Sequence, residues 1–138
     1  MKELCLLLGT NIGDRRANLE KALEALDRAF GNRRLRQTPV LETKACGFCG
    51  PDFLNMLVVY GTARRPDTIL KICKRIERSM GRKDAPEYAP DGSRIYHNRI
   101  IDIDILTYGD LEIQTPGLVI PHPQIQTRPF VKTLLEKL

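Results

Sequence analysis

Two stretches of this sequence repeat an apolar residue at every third or fourth position, and each lies between short apolar runs. Leu19, Ala22, Leu23, Leu26 and Phe30 fall at i, i+3, i+4, i+7 and i+11, the stripe of a helix with one buried face. Asp14 stands where its N-cap belongs and Gly31 where it should stop. Ile69, Ile72, Cys73, Ile76 and Met80 repeat the stripe, with Pro66 in the first turn and Gly81 after the last. Around them, residues 3–8, 35–41, 53–60 and 100–108 read as strands. The order is β-α-β, β-α-β. We expect a ferredoxin-like α+β sandwich, an antiparallel sheet with both helices on one face and the other face open for ligands.

A chain of 138 residues suits one domain spanning 1–138 and can bury a core without staples. The run at residues 4–8 is too short for a signal-peptide core or a membrane span, which makes the cytoplasm the simplest location. Cys5 and Cys73 occupy apolar-patterned positions and read as reduced core thiols. Cys46-Gly-Phe-Cys49 has redox-motif spacing, but Gly50-Pro51-Asp52 leads into a strand rather than a helix, so neither redox nor zinc chemistry is expected there. The net charge of +5 suits an anionic partner, polyphosphate or nucleic acid, and equally a solvated basic surface.

The strongest chemical signal is Arg99-Ile-Ile-Asp102-Ile-Asp104-Ile-Leu. Alternate strand residues share a face, so Asp102 and Asp104 project together, about 6.7 Å apart along the backbone. Two carboxylates that close repel, and on a sheet face otherwise built from Ile and Leu they call for a cation. Magnesium suits them, because it takes one or two carboxylates plus substrate phosphates. Arg99 adds a guanidinium for phosphate. An edge strand with two solvated aspartates is the plain alternative.

Three further signals are weaker. Prolines flank His122 and present its imidazole from a restricted turn, with Arg128 and Phe130 shortly after. Asn55 shares a strand face with Phe53 and Leu57; its amide either cross-links backbone or reads the edge of a heterocycle. Gly9-Thr-Asn-Ile-Gly13-Asp14 joins a strand to a helix but lacks the Lys-Ser/Thr ending of a P-loop, so it reads as a turn and helix cap. Residues 82–98 have no apolar period and carry Gly92 and two prolines, which predicts a long mobile loop of functional use.

In this order the pieces resemble the 6-hydroxymethyl-7,8-dihydropterin pyrophosphokinases over essentially the whole chain. The likeness runs through Gly9-Thr-Asn, Glu42-Thr-Lys, Pro51-Asp-Phe-Leu-Asn55, Arg75-Ile-Glu77, Gly81-Arg82, Arg99-x-x-Asp-Ile-Asp-Ile, Pro121-His-Pro and Arg128-x-Phe130. The resemblance implies a ferredoxin-like fold and magnesium-dependent transfer of the β,γ-diphosphoryl group of ATP to the pterin's hydroxymethyl group, with AMP leaving, in folate biosynthesis. It implies that Asp102 and Asp104 hold two magnesium ions, with Asp102 a possible aid to deprotonation. Phe53 and Phe130 would sandwich the pterin, while Asn55 and the backbones of Thr43, Lys44 and Cys46 would read its edge. Arg82 and Arg99 would contact the transferring phosphates. His122 and Arg128 would bind ATP phosphates, and Ile105 and Val119 would line the adenine site. ATP and the pterin are then the partners, with no nucleic acid, membrane or obligate protein partner.

The chain departs from the family pattern at His97 and Asn98 before Arg99, at Tyr96 and Arg94 in the loop, at Gly117 where some members carry an arginine, and in ending at Leu138. Those departures motivate a second reading, a catalytically impaired descendant that binds pterin or nucleotide. An RNA-recognition module shares the element order. However, residues 53–60 lack the stacked aromatics it needs, and Asp102 and Asp104 would repel phosphate unless a metal intervened.

Overall fold

Alternation along the first strand decides where everything else packs. The computed structural model describes residues 1–44, 51–81, 87–88, 90, 94–95 and 100–138. In chain order it comprises β1 (Lys2–Thr10), α1 (Arg15–Ala29), β2 (Arg34–Gln37), β3 (Leu41–Thr43), β4 (Phe53–Thr62), α2 (Pro66–Ser79), β5 (Glu87–Tyr88), β6 (Arg94–Ile95), β7 (Asp102–Tyr108), β8 (Ile113–Thr115), β9 (Leu118–Ile120), α3 (Gln124–Thr127) and α4 (Pro129–Leu135). β1 lies between β4 and β7 and is antiparallel to both. β2 and β3 pair along the far side of β4, which gives the order β2-β4-β1-β7. This is the expected ferredoxin-like α+β arrangement.

Leu4, Leu6 and Leu8 of β1 face the two helices, where they meet Leu19, Ala22 and Leu26 of α1 and Ile69, Ile72, Cys73 and Ile76 of α2. Both stripes thus pack as their spacing predicts. Asp14 caps α1 by accepting a hydrogen bond from the Ala17 N–H at 3.1 Å. Pro66 opens α2, and Gly81 follows it at φ +101°, a backbone conformation that favours glycine. Cys5 and Cys73 are free and buried, and burial pushes each thiol up to about 12, so neither supplies a thiolate near neutrality.

The structure corrects the sequence reading at three places. The strand expected over residues 35–41 is two strands, interrupted at Thr38-Pro39-Val40. Pro39 has no N–H for a ladder. Thr38 bridges the gap: its N–H donates to the Leu57 carbonyl at 3.0 Å and its hydroxyl accepts from the Leu57 N–H at 2.9 Å. Next, the second sheet face is not wholly open. Cys5, Leu7, Leu57, Val59 and Leu106 line it, and Val131 and Leu134 of α4 pack on them. Among the described residues, the end carrying Gly9, Asn55 and Asp102 lies beyond this cover. Finally, loop 82–98 falls mostly outside the described residues, but β5 and β6 within it pair antiparallel, Glu87 with Ile95 and Tyr88 with Arg94.

An ion-pair hub braces the opposite end of the sheet. Asp27 of α1 accepts hydrogen bonds from the Arg34 guanidinium on β2 and from the Tyr60 hydroxyl on β4. The Arg34 bonds hold the Asp27 carboxyl below its usual range. Because its folded pKa is the lower one, its stabilisation is present above the ordinary carboxylate value of about 3.9 and is lost as pH falls through the folded value. We expect Asp27→Asn to melt earlier than the parent at pH 7. The difference should shrink as pH falls below about 4. Thermal melts at pH 7 and pH 3 check this.

Candidate active site

The bulge-free half of the β1–β7 ladder builds the site. Gly9 pairs with Asp102 and Leu7 with Asp104, while on the other side Gly9 pairs with Asn55 and Leu7 with Leu57. Residues directly opposite across adjacent strands sit on one face. Asn55, Gly9 and Asp102 therefore form a row across three strands, with Asp104 one step along β7. Gly9 forms the floor of the row. A Cβ there would lie 3.4 Å from Asn55 Oδ1 and 3.6 Å from Phe53 Cδ1.

Asn55 is buried, and its amide nitrogen donates to the Leu41 carbonyl at 3.1 Å and to Thr43 Oγ1 at 2.8 Å. Its donor half is thus a cross-link between β3 and β4. Its Oδ1 is not used by those bonds and lies on the Gly9 side. Phe53 and Thr43 are half-buried and Lys44 is exposed. The approach to Phe53 is tied down by Asn11, whose amide donates to the Pro51 carbonyl at 3.1 Å. Arg15 helps, donating to the Asp52 carbonyl at 2.8 Å and to Glu42 at 2.7 Å. The segment discounted as a turn and cap therefore also supports the site.

Asp102 and Asp104 are half-buried, with Ile103 and Ile105 turned to the helix side between and after them. The same alternation settles where the Ile105 side chain goes. Its side chain is 4% exposed and belongs to the core, so it does not line an open face. The Ile103 N–H points to the outer edge of β7, where it reaches Glu77. By the two-residue period of the strand, the backbone of Ile105 faces the same edge. Val119, at the centre of β9, is half-buried opposite Gln114.

His122 is fixed against β7 by its N–H, which donates to the Leu106 carbonyl at 2.9 Å. Its Nδ1 accepts from the Gln124 N–H at 3.1 Å, so the neutral ring carries its proton on Nε2. Burial holds its pKa below the usual histidine value; the Asp102 charge opposes this and Arg128 adds to it. Arg128 directly precedes α4, and its guanidinium lies over the Phe130 ring, 6.0 Å from its centre. Phe130 itself packs at the margin of the second core. Gln124 donates its amide to Asp104 Oδ2 at 2.9 Å. Cys46, Arg82 and Arg99 lie outside the described residues.

The donor set suits a hard cation. Two half-buried carboxylates on one face offer oxygen ligands, and magnesium completes its shell with phosphate and water rather than with more protein. No group of three or more His, Cys, Asp or Glu residues that could hold a metal occurs among the described residues.

The family model of 7,8-dihydro-6-hydroxymethylpterin-pyrophosphokinase (HPPK) matches residues 5–138. The chain belongs to this family. Among curated HPPK relatives, the 2-amino-4-hydroxy-6-hydroxymethyldihydropteridine pyrophosphokinase of Porphyromonas gingivalis is 40% identical over 129 residues, covering 92% of this chain and 84% of the relative. The protein of the same description from Aquifex aeolicus is 37% identical over 138 residues, 99% of this chain and 80% of the relative. The mitochondrial folate synthesis bifunctional protein of Pisum sativum is 37% identical over 131 residues, which span 94% of this chain but 24% of that longer protein. The HPPK match spans both halves of the row, from β1 to β7, and the His122 segment.

Sequence reasoning missed Gly9, Asn11, Glu77 and Gln124 as parts of the site. Gly9 and Glu77 carried a signal, since one is a glycine ending an apolar run and the other a carboxylate continuing the α2 stripe. Gln124 carried none.

Proposed function

We propose that the row Asn55–Gly9–Asp102, with Asp104 and His122 beside it, is the catalytic centre for the reaction of the HPPK family in this chain. That reaction moves the β,γ-diphosphoryl group of ATP to the hydroxymethyl oxygen of the dihydropterin. The new bond joins that oxygen to the β-phosphorus, the bond from the β-phosphorus to its oxygen bridge with the α-phosphorus breaks, and AMP leaves with that oxygen. The observation that supports this placement is the ladder register, which sets a floor without a side chain, Gly9, in one row with Asn55 and Asp102.

Each residue then has a task. Phe53 and Phe130 bracket a flat ring, and Asn55 Oδ1 with the Thr43, Lys44 and Cys46 backbones reads its edge. His122 donates from Nε2 to a phosphate oxygen, and Arg128 adds a cation beside it. The Ile105 backbone at the open edge of β7, with Val119 nearby, receives the adenine. Arg82 and Arg99 meet the transferring phosphates. Asp102 and Asp104 bind magnesium, which when bound offsets phosphate charge and polarises the reacting phosphoryl group. Asp102 also takes the hydroxyl proton in this reading. The protein's contribution is positioning and electrostatics rather than covalent chemistry.

We assign the activity to one domain and to the cytoplasm, where ATP is available. Among the described residues no helix is long and apolar enough to cross a membrane. The test is incubation with ATP, magnesium and the hydroxymethyl dihydropterin, followed by separation of nucleotides. AMP should form only when pterin and magnesium are both present. ADP as the product, or tight pterin binding without turnover, would replace this reading with another phosphotransfer or with the impaired descendant.

A further inference from the structure

We infer that Glu77 and Gln124 are positioning residues that hold the Asp102-Ile103-Asp104 triplet from the two faces of the sheet. The inference rests on the reading of these aspartates as magnesium ligands.

Glu77 lies in the last turn of α2 and is 0% exposed. The apolar stripe Ile69, Ile72, Cys73 and Ile76 would continue with any aliphatic residue at this point. Instead it continues with a carboxylate, and burying a carboxylate costs several kcal/mol before its partners compensate. The carboxylate does a specific job. Its Oε2 accepts from the Ile103 N–H at 2.7 Å, and its Oε1 lies 3.6 Å from the Lys74 ammonium.

Among the described residues β7 is the last strand in the sheet order, so the Ile103 N–H on its outer edge meets Glu77 rather than a strand. Glu77 stands in for that strand. The N–H in question belongs to the peptide plane joining Asp102 to Ile103, so the bond fixes the backbone between the two aspartates.

Gln124 acts from the other face. Its side chain donates to Asp104 Oδ2 at 2.9 Å, and its backbone N–H is itself held by His122 Nδ1. An amide restrains rotation of the carboxylate without bringing a positive charge that would compete with a cation. The two carboxylates of this short segment, Asp102 and Asp104, repel each other. Anchors that hold them in place before the ion arrives lower the cost of assembling the site.

The test uses the full chain and follows melting temperature as magnesium is titrated in the presence of an ATP analogue with methylene in place of the α,β-bridging oxygen. Glu77→Leu and Gln124→Ala are each expected to move the magnesium midpoint at least about tenfold higher, the size seen for partners of metal ligands. Glu77→Gln, whose side-chain oxygen can accept the same bond, should stay close to the parent. Pterin affinity without nucleotide should be unchanged in all three. Should Glu77→Leu not fold, Gln124→Ala and Glu77→Gln still decide the matter. Parental midpoints in Glu77→Leu and Gln124→Ala overturn the positioning role while leaving the metal reading intact. Equal loss in Glu77→Gln and Glu77→Leu overturns the hydrogen-bond role of Glu77. A parent protein that does not respond to magnesium overturns the metal reading and this inference together.

Discussion

Replacing Asp104 with alanine is expected to lower turnover about a hundredfold or more while leaving the fold intact. The size is that of losing one electrostatic stabiliser aimed at a transition state. The side chain is half-buried on the site face opposite Leu7, and it supports no core packing. Its removal takes away one of two mutually repelling carboxylates but also the Gln124 hydrogen bond, so the metal-free variant should melt close to the parent. Added magnesium should raise the melting temperature of the parent but not of the variant. Glu112→Ala, an exposed carboxylate outside the site, is the control and should behave as the parent. Steady-state AMP formation and melts with and without magnesium give the answer. Near-normal turnover of Asp104→Ala at saturating magnesium would remove this pair from the chemistry.

The aspartate pair was legible because its information is local. A strand has a period of two, and Asp102 and Asp104 could share a face in no other way. The same rule, applied one residue further, places the Ile105 side chain in the core, so that a role for Ile105 beside adenine would fall to its backbone. The helices were legible for the same local reason. α4 was not, because seven residues with two buried positions are too few to show a helical period, and so its cover over half the second face went unforeseen. Gln124 was invisible for a different reason. Its contact with Asp104 joins residues 20 positions apart, and only the turn built on His122 brings them together. Pro39 was readable as a strand breaker, but the buried hydroxyl of Thr38 that repairs the ladder could be found only in three dimensions.

Asn55 is where sequence left two readings open; the structure shows the cross-link through the amide nitrogen, and the proposed pterin contact would use the other atom, Oδ1. The amide nitrogen bonds Leu41 and Thr43, and Oδ1 faces the Gly9 floor. Asn55→Ala should therefore weaken pterin binding by about 1–3 kcal/mol, roughly five- to 150-fold, because a ring-edge bond is lost and the ligand's group is left unpaired. It should also lower the melting temperature, because β3 loses its tie to β4. Thr43→Val removes one of the two cross-links and leaves Oδ1 in place, so it should lower the melting temperature with less effect on the pterin. Gly9→Ala should do the reverse. Its Cβ fits without displacing backbone, at 3.4 Å from Oδ1 and 3.6 Å from Phe53, but it occupies the floor where the ring would rest. Calorimetric titration with the pterin and with the ATP analogue, beside thermal melts, separates the three variants. If pterin and nucleotide affinities fall together, in step with melting temperature across all three, Asn55 is a strand cross-link alone and the pterin does not lie on Gly9.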